Sequence, residues 1–145
     1  MTATLSTPTT RTASWRSTAT AAAIGAVGGL VVNALIAVVT KAVADVPSEF
    51  QQLTLPVYGP LTVLGAVIGA VVWHLVVARS RNAAGVLRVL VPAFLLVSLV
   101  PDVMLLVDDS QPGTTTAGVI ALMLMHFGVA AATVPALRRF TPPRS

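Results

Sequence analysis

The sequence predicts an all-α protein, a four-helix transmembrane bundle with both termini on the cytoplasmic side. Composition is the first observation: 55% of the 145 residues are hydrophobic and only 10% are charged, whereas a soluble domain carries about a quarter charged residues. The second is segmentation. Four apolar stretches, each near the roughly 20 residues a bilayer-spanning helix needs, use most of the chain and leave no room for a separate soluble domain. The third is the placement of arginine, which one four-span topology gathers on a single side.

Residues 1–18 are rich in Ser and Thr and nearly free of large apolar side chains, so they read as a flexible cytoplasmic tail. Trp15 and Arg16 at its end suit a membrane interface. The first span covers about 19–43. Ala42-Val43-Ala44 has the form of a signal-peptidase site, but the apolar run before it exceeds the 7–15 residues of a signal core, so the segment reads as a retained span. An outer loop follows, with helix-breaking Pro47 and Pro56 and with Phe50, Leu53 and Leu55 expected along the interface. The second span covers about 58–77, and residues 80–86 form a short polar link. The third span, about 87–107, ends in the turn Asp108 to Gly113. The fourth, about 115–137, ends at Arg138 and Arg139, before a short tail at 141–145. Residues 19–140 thus form one membrane domain.

In this topology Arg11, Arg16, Arg79, Arg81, Arg88, Arg138, Arg139 and Arg144 share one side, and Lys41 alone lies on the other. The acids Asp45, Glu49, Asp102, Asp108 and Asp109 all lie toward that second side. Every short loop follows the positive-inside rule, whereas three or five spans would split the arginines. The net charge of +4 is therefore a topology signal, not a nucleic-acid surface, because the basic residues flank apolar spans. The absence of cysteine excludes disulfides, thiolate nucleophiles, iron–sulfur clusters and cysteine-bound zinc. No phosphate-binding loop, nucleophile elbow, zinc-protease or dinucleotide motif is present, and no cofactor or metal is expected.

Inside lipid, helices associate by close packing of small residues. Gly25 and Gly29 share one face of the first span, and Gly65 and Gly69 share one face of the second. Both pairs are candidate helix contacts, within one chain or between copies or membrane partners.

Ionisable groups in the hydrocarbon are unfavourable by about 2.5–3.5 kcal/mol on insertion scales, so they tend to face the interior and to mark function. His74 sits near the inner interface beside Trp73, a setting suited to a polar ring. Arg88 lies at the inner end of its span and reads as a snorkelling anchor. Asp102 is different: it lies about 21 Å along the helix from Arg88, with apolar Val103 to Val107 still to follow. Pro101 precedes it and frees the carbonyl of Val97, so a kink carrying an acid is expected. His126 lies about 18 Å from Arg138, and Asn33 shares the face of Gly25 and Gly29. Asn33, Asp102 and His126 come out at similar depth and form a candidate intramembrane polar cluster. Thr40, Thr62, Ser98 and Thr133 are lesser neighbours whose hydroxyls can bond their own helix. Met123 and Met125 flank His126 on different faces, which fits packing and not a metal site.

The segments Leu96 to Val107, with Val100-Pro101-Asp102, and Gly118 to Leu137, with Met125-His126, resemble a family of small four-helix membrane proteins from actinobacteria, a domain of unknown function. The resemblance covers the four spans and omits residues 1–18. It implies a bacterial plasma membrane and lends no catalytic role. The residues themselves point first to a non-catalytic bundle in the lipid bilayer, acting through membrane partners or self-association, in which the polar cluster ties helices together. The alternatives are a small proton-linked carrier, or an enzyme modifying a lipid or isoprenoid with Asp102 as acid and His126 as base.

Overall fold

The computed structural model describes residues 14–108 and 111–144. Of the expected tail at 1–18, residues 1–13, with Arg11, lie outside the described residues, as do Asp109, Ser110 and Ser145. Five α-helices follow one another: α1 Trp15–Val43, α2 Leu55–Arg79, α3 Ala83–Ser98, α4 Val100–Met104 and α5 Thr116–Phe140. With α3 and α4 taken as one broken span, four helices are long and apolar enough to cross a membrane, at mean hydropathies of 2.0 to 2.3. The chain is an all-α, multi-pass membrane protein.

The helix ends differ from the sequence reading for local reasons. α1 starts at Trp15, inside the expected tail, because Ser14 caps it: the Ser14 side chain accepts the Ser17 backbone N–H at 3.1 Å, satisfying an otherwise free donor. α2 starts before Pro56 because proline is tolerated in a first turn, where its missing N–H has no partner to lose. α3 starts at Ala83 because Asn82 accepts the Gly85 N–H at 2.9 Å, so part of the expected polar link is helix. The third span breaks at Leu99, next to Pro101, which has no backbone N–H for the helix; Leu99 N–H donates to the Leu96 carbonyl at 3.2 Å, a tightened turn in place of a regular one.

The bundle is unevenly packed. α1 lies along α5 and α2 through a stripe that includes Gly25, Gly29, Asn33 and Ala37. A Cβ on Gly25 would stand 2.8 Å from Thr133 Cα, so α1 and α5 touch backbone to backbone there. Gly128 on α5 answers it, since a Cβ there would lie 2.7 Å from Val32 Cγ1. The third span is held far less: 11% of its apolar window is buried, against 33% in each of the others. In α3 only Ala83 and Leu87, at the arginine-rich end, are buried.

Both ends are closed by side chains. At the arginine-rich end Trp73 Nε1–H donates to the Thr141 carbonyl at 2.9 Å, and the Ala84 N–H donates to the Arg144 carbonyl at 2.9 Å. His74 is buried, hydrogen-bonded to Thr18 Oγ1 at 2.8 Å and stacked on Trp15 with ring centroids 3.8 Å apart. At the acidic end Phe50 and Leu53, expected along the interface, are instead fully buried. Phe50 fits against Gly118 and against Gly113, whose φ of +70° suits glycine in that turn.

Candidate functional site

The loose third span leaves a cleft between α2, α3, α4 and α5 with a volume of about 450 Å³. It runs the height of the bundle. From Tyr58 to Trp73 its α2 wall extends about 22 Å. Most of the wall is apolar: Leu61, Val72, Leu90, Val91, Phe94, Leu122 and Val129 contribute to it. Leu61 is 62% and Phe94 50% exposed, so the cleft opens sideways, toward lipid.

Gly65 and Gly69, expected at a helix contact like Gly25 and Gly29, stand differently. Both line the cleft. A Cβ on Gly65 would meet only Val129 Cγ1, at 4.0 Å, and one on Gly69 would meet nothing within 4 Å. Their missing side chains are part of the cleft's volume.

Polar residues gather toward the acidic end of the cleft. The break at Pro101 turns Asp102 inward, where it is buried. Asp102 Oδ2 lies 3.1 Å from Nδ1 of His126 on α5. The same Nδ1 lies 3.0 Å from the Leu122 carbonyl, one turn back, and its N–H is directed there. Asp102 Oδ2 therefore lies beside the His126 ring without a well-aimed hydrogen bond. Because Nδ1 faces two oxygens it carries the proton in the neutral ring, which leaves Nε2 as an acceptor.

Asn33, the third residue of the expected cluster, lines the same cleft but bonds elsewhere: its Nδ2–H donates to Thr62 Oγ1 at 2.8 Å, and the Thr62 hydroxyl donates in turn to the Tyr58 carbonyl at 2.8 Å. Two dyads thus share one cleft, Asp102 with His126 and Asn33 with Thr62. Gln52, which the sequence reading passed over, also lines the acidic end, and its Nε2–H donates to Gln111 Oε1 at 2.7 Å. Ser98 turns back to its own helix, donating to the Leu95 carbonyl at 2.7 Å. Among the described residues no three His, Asp or Glu side chains converge as a metal site would require.

The fold and the cleft define a class: a four-span membrane protein with a laterally open apolar cleft and an acid–histidine pair at one end. Residues 10–142 match the family of unknown function DUF6069, and the chain belongs to that family. No curated protein and no solved structure matches it.

Proposed function

We propose that this protein is a membrane-embedded binding protein that takes one long apolar chain from the bilayer into the cleft. The cleft's shape carries the reading: about 450 Å³ drawn out along the bundle, apolar along its length and polar toward one end. Its mouth between Leu61 and Phe94 suits entry from lipid. The bundle sits in a bacterial plasma membrane with its arginine-rich end and both termini in the cytoplasm, a reading supported by eight arginines on that side against Lys41 alone on the other. Its membrane partner is then a lipid, and the glycine seam serves packing within the chain.

Native mass spectrometry of the protein released from membranes tests this. The wild type is expected to carry one apolar ligand per chain, and Gly65→Leu/Gly69→Leu, which fills the cleft, to lose it while melting near the wild-type temperature. Equal ligand on the filled variant would remove the reading.

A second reading rests on the 3.1 Å between Asp102 and His126, within reach for general acid–base work on the bound chain. It requires the mass of an added ligand to change with time, and His126→Ala to stop that change. A ligand recovered unaltered leaves binding alone.

A further inference from the structure

Resting on the cleft reading above, we infer that the head of the bound chain is a hydrogen-bond donor without negative charge, a long-chain alcohol or amine and not a carboxylate or phosphate. Among the described residues the buried side-chain polar atoms without a hydrogen-bond partner are Asn33 Oδ1, Gln52 Oε1, Asp102 Oδ2 and Thr133 Oγ1. All are oxygens, and all belong to residues that line the cleft. Thr133 Oγ1 faces Gly25 on α1 and has a proton of its own to place. Asn33 Oδ1 faces Gly128 across the same seam, which leaves Gln52 Oε1 and Asp102 Oδ2 as the acceptors toward the acidic end of the cleft.

The surplus of acceptors follows from how their partners are engaged. His126 directs its Nδ1–H to Leu122, so Asp102 Oδ2 lacks a directed donor, and Nε2 of the neutral ring is one more acceptor. Buried acceptors are stabilised by donors, which the ligand must supply. Charge points the same way. No Lys or Arg is among the described residues lining the cleft. With the head at Asp102 the chain runs toward Trp73, about 16 Å further along α2 from the level of Thr62.

Trp73 lines the cleft toward its arginine-rich end, so a quencher on the far carbon of a chain seated in the cleft lies beside it. Trp15→Phe leaves Trp73 as the only tryptophan. That variant, in zwitterionic lipid nanodiscs, is titrated with long-chain probes brominated at the far carbon and ending in an alcohol, an amine, a carboxylate or a phosphate monoester. The expected result is saturable quenching by the alcohol and the amine, at least tenfold tighter than by either anion and reversed by unbrominated alcohol. Asp102→Asn, which replaces an acceptor by a donor, is expected to shrink that preference at least threefold. Equal or tighter binding of an anionic probe overturns the head assignment and leaves the cleft reading standing. An unchanged preference in folded Asp102→Asn also overturns it. No saturable quenching by any probe overturns the cleft reading and the head assignment with it. The probe ranking is read with Asp102 native, so it decides whether or not the variant folds.

Discussion

The two sides of this bundle use the same residues in opposite ways. On one side α1 and α5 meet through Gly25, Gly29 and Gly128 so closely that an added Cβ at Gly25 or Gly128 would collide with its neighbours. On the other side Gly65 and Gly69, spaced identically along α2, face open space. The first pair brings backbones together and the second keeps a side chain out of a cleft. A small-residue motif in a membrane helix states only that something needs room; whether that something is a helix or a ligand is decided by the helix opposite. Here α5 lies against α1, while α3, buried only at Ala83 and Leu87, stands off from α2.

The comparison breaks most sharply at Gly25. Gly25→Leu drives a branched side chain into Thr133 and is expected to destabilise by about 3 kcal/mol or more, at the upper end of overpacking effects. Gly69→Leu, the same substitution on the cleft side, is expected to fall within about 0.5 kcal/mol of wild type, as substitutions away from packed features do. Thermal unfolding in one detergent measures both, and equal losses would erase the distinction. Next is Gly128→Ala, expected to cost about 1–3 kcal/mol in the same assay because Val32 must move. Asn33→Ala removes the bond to Thr62 that ties seam to cleft. It is expected to cost about 0.6 kcal/mol, the average for hydrogen bonds between membrane helices, and at most about 1.7. Trp73→Phe keeps an aromatic ring but loses the bond to Thr141 and part of the buried indole, for an expected loss of at least about 0.5–1.5 kcal/mol that a melt of the same preparation reads. The smallest effect is expected for Ser98→Ala, within about 0.5 kcal/mol, since its hydroxyl bonds only its own helix.

Much of the architecture was legible because its causes are local. Hydropathy marks spans without reference to neighbours, and Pro101 announces the break at Leu99 wherever the helix goes. Depth along a helix is also countable, and that count sets Asp102 level with His126, which stands 3.1 Å from it in the structure. Asn33 was level too, yet it bonds Thr62, because depth does not give azimuth: which face of α2 turns to α1 depends on how both rotate in the bundle. The cleft was not legible at all. It is a gap between elements, and Gly65 with Gly69 spells it in the same letters that Gly25 and Gly29 use for contact. The caps at Ser14 and Asn82 were readable in principle from their residue types, but the Ser/Thr-rich run before Trp15 reads as tail composition and hides the first. Phe50 and Leu53 were misplaced because an apolar residue in a short loop fits an interface as well as it fits a plug.

That plug has a thermodynamic consequence. Phe50 and Leu53 are each 1% exposed at the acidic end, and the arginine-rich end is laced by Trp73, Thr141 and the Ala84–Arg144 bond. For the proposed apolar-chain ligand, entering sideways past exposed Leu61 and Phe94, occupancy would follow the mole fraction of ligand among the surrounding lipids and not its concentration in water. Diluting the vesicles in buffer leaves the bound fraction of a membrane-confined ligand unchanged, whereas diluting the ligand with more lipid lowers it.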